Sequence, residues 1–239
     1  MPRKRAIKVL HEENTPAPVV SKQKKLCIDF KPKTIGQSEY LKTIIHNSVT
    51  FATGPAGCGK SFLCLGLACQ YLLEDRFDTI IVARPTVEAA PKSIGYLPGD
   101  VDEKLSPYLL PAVEHMKKFL GKDVYGKYYH DNRIQFKALE FCRGSNFDDS
   151  FVICEESQNC SSEQLIMLVT RLCENSKMVI NGDFEQTDLK KKSGDFPTDL
   201  QFIMNRVESN ELKHFGITRL TEADIIRNPL IAGFLRAVR

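Results

Sequence analysis

Gly54-Pro55-Ala56-Gly57-Cys58-Gly59-Lys60-Ser61 fits G-x-x-x-x-G-K-[ST] at every fixed position. The apolar run before it, 48–53, reads as a strand, and 61–73 behind it reads as a helix. Strand, glycine-rich turn and helix are the context in which this pattern is a phosphate-binding P-loop. The glycines leave room for the backbone N–H groups between Gly54 and Ser61, Pro55 excepted, to turn inward around phosphate oxygens. Ala56 and Cys58 are small enough to stay clear of them. The positive end of the following helix favours the same negative charge. Lys60 would reach the β- and γ-phosphates, and the Ser61 hydroxyl would hold Mg²⁺. The bland alternative is a glycine-rich turn met by chance, which the flanking strand and helix argue against. ATP and Mg²⁺ are the expected ligands.

A P-loop needs a second metal anchor at the end of another strand. Phe151-Val152-Ile153-Cys154-Glu155-Glu156 provides one, an apolar strand ending in two carboxylates. Successive side chains there point in different directions, so Glu155 is expected to hold the metal shell and Glu156 to act as general base. Glu155 could also act through a metal-bound water, since Mg²⁺ keeps several. Asn181-Gly182-Asp183-Phe184-Glu185-Gln186 follows another apolar run. The Gln186 amide both donates and accepts, which suits a γ-phosphate or an attacking water. In isolation the carboxylate pair reads as an acidic strand end, and the second motif as a Gly-Asp turn.

Outward from these motifs, strands are expected at 79–83, 134–139, 150–154, 177–181 and 216–220. Helices are expected at 161–172, capped by Ser161, at 198–205 and at 228–238. The stretch 101–120 reads as helical pieces broken at Pro107 and Pro111, after a Pro/Gly-rich loop at 86–100. Apolar strands alternating with helices predict one α/β domain, a parallel sheet flanked by helices.

The chain has 239 residues, 42% hydrophobic and 26% charged, the composition of a globular domain. Its longest apolar run, 62–73, is 12 residues, short of the ~20 that a membrane helix needs. No secretory leader is expected, and the reading is a cytoplasmic protein without a membrane partner. The net charge of +3 hides an asymmetry: residues 1–25 carry +5 and the remainder −2. Residues 1–25 therefore read as a basic arm on a domain at 26–239. The arm either neutralises nucleic-acid phosphates or is a solvated leader. Eight cysteines show no C-x-x-C pair and several sit in apolar runs, so they read as small core residues rather than zinc ligands.

Taken in order, Gln37, the P-loop, Ala83-Arg84-Pro85-Thr86-Val87-Glu88, Leu97-Pro98-Gly99-Asp100, Cys142-Arg143-Gly144, Glu155-Glu156-Ser157-Gln158-Asn159, Thr170-Arg171, Gly182 to Gln186 and Asp224-Ile225-Ile226-Arg227-Asn228-Pro229-Leu230 form a set. That set resembles the PhoH-like ATPase family, relatives of the first motor domain of superfamily 1 helicases. The resemblance runs from about Phe30 to the last residue. It implies a RecA-like P-loop NTPase core that binds and hydrolyses ATP, with single-stranded RNA or DNA as partner in some members. It also implies assembly into a cyclic homo-oligomer such as a hexamer, and short members are frequent in bacteriophages, which places such a protein in the host cytoplasm. Three departures from the family pattern stand out. Glu155 replaces the usual Asp, Ser145-Asn146 replace the usual Arg-Thr after Arg143-Gly144, and Cys58 replaces the usual Thr.

The resemblance suggests that Gln37 reads the adenine edge through its amide, the plain alternative being a solvated residue before a helix. A second motor domain normally supplies an arginine finger, so here a neighbouring subunit would supply it, with Arg227 the first candidate, or Arg171 would act in cis. A salt bridge is the structural alternative for either arginine. Three functions remain open: an ATPase coupled to single-stranded nucleic acid, a slow ATPase switch or assembly protein, and a small-molecule kinase. Glu156 and Gln186 suit water activation better than a kinase's acceptor site.

Overall fold

The computed structural model describes residues 25–85, 101–186 and 198–226. The expected loop at 86–100, the closing helix at 228–238, Arg227 and nearly all of the basic arm lie outside them. The described elements are α1 (Ile35–His46), β1 (Val49–Thr53), α2 (Lys60–Leu73), β2 (Thr79–Arg84), α3 (Val101–Leu120), α4 (Lys122–His130), β3 (Ile134–Ala138), β4 (Ser150–Cys154), α5 (Ser162–Val169), β5 (Lys177–Gly182), α6 (Asp199–Ser209) and β6 (Phe215–Arg219).

A parallel sheet covered on both faces demands strands that are apolar throughout, and β1, β4 and β5 are buried along their whole length. Side chains alternate between faces. Along β2, Ile80 and Val82 enter one core, and Ile81 and Ala83 enter the other. Tyr40, Ile44, Leu65, Met116 and Phe119, from α1, α2 and α3, fill the first. Leu165, Leu168, Leu200 and Met204, from α5 and α6, fill the second. All five strand pairings among the described residues are parallel, in the order β3-β2-β4-β5-β1-β6. This is the expected α/β domain, and β5 lies between β1 and β4.

The expected break of 101–120 is corrected, since α3 is one helix from Val101 to Leu120. Pro107 and Pro111 are four residues apart, so their missing N–H groups fall on one side of the helix. Leu109, Ala112, Met116, Phe119 and Leu120 are buried, and that packing outweighs the local cost. Helix α5 ends at Val169, three residues earlier than expected, and α6 runs to Ser209, beyond the expected 205. Helices α1 and α4 had no counterpart among the expected elements. Six of the eight cysteines are buried, Cys27 is exposed, and all eight are free thiols. Among the described residues no helix is long and apolar enough to cross a membrane.

Candidate active site

The P-loop leaves the C-terminal end of β1 and enters α2 through Gly59, the N-cap residue, at φ 86°. That left-handed backbone favours glycine. Gly59 brings no capping side chain, which leaves the first-turn amides to an anion. A Cβ at Gly54 would lie 2.7 Å from the Leu220 Cβ and 2.9 Å from its carbonyl oxygen, so the loop can pass beside β6 only as glycine. The Lys60 ammonium donates to Gly54 O and, at 3.3 Å, to Pro55 O. It therefore lies along the loop, next to the Cys58 thiol at 3.5 Å. Burial raises that thiol's pKa, against the pull of Lys60.

Glu155 reaches across β5 to the P-loop. Its Oε2 accepts the Ser61 hydroxyl at 2.9 Å, and its Oε1 accepts Asn181 Nδ2 at 3.3 Å. Burial raises the Glu155 pKa; the Ser61 and Asn181 hydrogen bonds and Lys60 oppose that shift, and Glu156 adds to it. Glu156 stands on left-handed backbone, φ 55° and ψ 37°, which turns its carboxylate away from that of Glu155. Gln158 Nε2 donates to Glu156 Oε2 at 2.7 Å, and Arg84 lies 3.9 Å from Oε1. The same Gln158 amide donates to Gln186 O at 3.0 Å and accepts from Asp183 N at 2.9 Å. The general-base candidate and the Gly182–Gln186 motif are thus joined through Gln158, while Gln186 itself is exposed. Asp183 is buried, and its Oδ2 has no hydrogen-bond partner among the described residues.

Gln37 departs from the solvated alternative. It is buried in the first turn of α1, and its amide is engaged by the protein's own backbone. Nε2 donates to Cys58 O at 2.9 Å and to Asp224 O at 3.4 Å, while Oε1 accepts Lys33 N at 2.7 Å. In these contacts it braces the P-loop. Asp224 accepts the Thr34 hydroxyl at 2.5 Å and Thr221 N at 2.9 Å, and Ile226 N donates to Gly57 O at 3.3 Å. The segment that leads to Arg227 is therefore tied to the P-loop. Arg171 is corrected as a cis finger. Its carbonyl accepts Phe147 N at 2.9 Å ahead of β4, at the strand ends opposite the P-loop. Five strand residues separate the two edges, roughly 15 Å.

The PhoH family model, described as PhoH-like protein, matches residues 29–239. The chain belongs to the PhoH-like family. This PhoH-like chain is 37% identical over 207 residues to a PhoH-like protein of Synechocystis, covering 87% of this chain and 61% of that protein. It is 36% identical over 210 residues to the Bacillus subtilis PhoH-like protein, covering 87% of this chain and 63% of the relative. The PhoH-like chain thus spans about three fifths of the length of these relatives. Among solved structures, the large terminase of a thermophilic bacteriophage superposes with a TM-score of 0.50 at 11% identity, over 83% of this chain and 48% of that one. The fold is that of a RecA-like P-loop NTPase.

The PhoH-like site fits Mg²⁺ by its donors. Ser61 Oγ and a Glu155 oxygen are hard ligands in contact with each other, and Mg²⁺ takes one or two carboxylates together with substrate phosphates. Among the described residues no group of three or more His, Cys, Asp or Glu could hold a metal ion. Gln158, Tyr40 and Asn181 had no role assigned from sequence. Asn181 had a signal, a polar residue closing the otherwise apolar run Met178-Val179-Ile180.

Proposed function

We propose that this PhoH-like domain binds ATP with Mg²⁺ and hydrolyses it, coupling nucleotide state to single-stranded RNA or DNA. The contact of Ser61 with Glu155 across β5 carries the reading, because it joins the P-loop to the strand-end carboxylate where a nucleotide's metal would sit. Gly54 to Ser61 bind and orient the phosphates, and Lys60 turns from Gly54 O to the β- and γ-oxygens. Ser61 and Glu155 would hold Mg²⁺, which would supply positive charge against that developing on the phosphates. Glu156 takes a proton from the attacking water, and Gln186 orients that water. The finger comes from Arg227 of a neighbouring subunit in a ring.

Lys60→Ala in the full chain tests the core of this reading. It removes a charge-assisted contact of ~1.5–3 kcal/mol, so ATP turnover should vanish and nucleotide affinity fall. Wild-type turnover in Lys60→Ala would sink it. Poly(U) or single-stranded DNA added to the unmodified chain should raise the ATPase rate. Indifference to both would leave a slow nucleotide switch.

A further inference from the structure

We infer that Asn181 is a positioning residue for the metal-binding carboxylate of Glu155, with Tyr40 fixing its orientation. The inference rests on the ATPase reading above and deepens it. Asn181 is a polar residue on β5, the strand between β1 and β4, and it is 1% exposed. Its Oδ1 accepts the Tyr40 hydroxyl at 2.7 Å. Its Nδ2 donates to Glu155 Oε1 at 3.3 Å and to Cys64 Sγ at 3.3 Å. Glu155 Oε2 meets the Ser61 hydroxyl at 2.9 Å. The two carboxylate oxygens are therefore divided: Oε1 is held by the fold, and Oε2 faces the P-loop.

The carboxylate decides which way the amide points, and Tyr40 holds it there. An ionised carboxylate only accepts, so a flipped amide would set its oxygen against Glu155; with Nδ2 toward Glu155, the Tyr40 hydroxyl donates to Oδ1. Glu155 has one rotatable bond more than an aspartate and loses more rotamer freedom when it is held. An amide fixed from behind supplies the restraint that the longer side chain needs. Tyr40 and Gln37 are three residues apart on α1, on one helix face. Through them the same helix steadies the carboxylate and, by Gln37 on Cys58 O at 2.9 Å, the phosphate loop. Inside a buried polar network, loss of one member is felt by the others.

The experiment measures binding of a fluorescent ATP analogue to the full chain while Mg²⁺ is titrated, and then again in EDTA. For Asn181→Ala the Mg²⁺ midpoint should rise about tenfold, as expected for a lost hydrogen bond to a charged group. Affinity in EDTA should be unchanged, because the P-loop keeps its own contacts. Tyr40→Phe, which keeps the ring's packing, should move the midpoint in the same direction by a smaller factor. In a Glu155→Gln background, Asn181→Ala should shift the midpoint no further. An unmoved midpoint in both single variants, equal losses with and without Mg²⁺, or full additivity with Glu155→Gln would overturn the inference. Should Asn181→Ala fail to fold, Tyr40→Phe and its combination with Glu155→Gln decide alone. If Lys60→Ala binds the analogue and turns over ATP as the unmodified chain does, the ATPase reading itself has failed, a separable result.

Discussion

Glu156 is the residue whose backbone is most telling. A glutamate at φ 55° costs of order 1–3 kcal/mol and persists only where its surroundings enforce it. Here Asn159 N donates to Glu156 O at 3.0 Å and Gln158 Nε2 to Glu156 Oε2 at 2.7 Å, and the adjacent carboxylates meet different partners. Different tasks follow. Glu156→Gln should bind Mg-ATP and fail to cleave it, whereas Glu155→Gln should mainly raise the Mg²⁺ requirement. Equal loss of Mg-ATP binding in both would contradict the division. The pH dependence belongs to Glu155. Burial lifts its pKa above the 4.5 of an unperturbed glutamate, so the folded protein holds that proton to higher pH. The stability this lends is fully present below the unfolded pKa and is lost as pH rises through the folded value. Metal binding needs the anion and runs the other way. As pH falls, the Mg²⁺ midpoint should begin to rise above the ordinary carboxylate range, and Glu155→Gln should lack that acid limb.

At the scale of elements, α3 shows how packing overrules local preference. Phe119 is fully buried, 5.0 Å from the Phe62 ring and 6.1 Å from Phe30, and it holds α3 on α2 despite two prolines. Phe119→Ala should cost about 3–5 kcal/mol, measured by urea unfolding, with the P-loop sequence untouched. A loss under about 1 kcal/mol would mean that α3 contributes little to the core. Helix α5 was legible at its start, because Ser161 and Gln164 form a capping box at 3.2 and 2.8 Å. Its end was not, since no glycine or proline marks Val169–Leu172 and the stop comes from pairing with Phe147. Helix α4 was missed for a related reason. Gly121 precedes it without a side-chain cap, and Tyr125 and Tyr128 show their buried face only once packed.

For the whole molecule, a P-loop at the C-terminal ends of the strands would leave a γ-phosphate facing outward, where an added cation can raise the rate ~10³–10⁵-fold. Arg171 is at the wrong edge of the sheet, and the segment before Arg227 is anchored to the P-loop by Ile226 on Gly57 O. A head-to-tail contact that closes forms a ring, so the expected assembly is cyclic with shared sites. Inactive Lys60→Ala and Arg227→Ala chains, mixed, should regain part of the ATPase. Absence of recovery in chains shown to co-assemble would remove Arg227 from the role, and full activity in a monomer would remove the ring.

The P-loop, the strand ending in Glu155-Glu156 and the Gly182–Gln186 motif could be read from sequence because each needs particular residue types at fixed spacing. The same holds for the parallel sheet, whose two-sided burial demands continuous apolar strands. Only the tertiary structure decided what those residues touch. The strand order sets β5 between β1 and β4, which brings Asn181 to Glu155, while the pairing of Arg171 with Phe147 ahead of β4 keeps it at the strand ends opposite the P-loop. Gln37 stood out in the sequence only through the family resemblance; it is a buried brace because α1 packs against the P-loop, a contact that no sequence pattern marks. Long-range contacts such as Tyr40 with Asn181, 141 residues apart, leave no periodic mark, since they depend on the order in which strands pair.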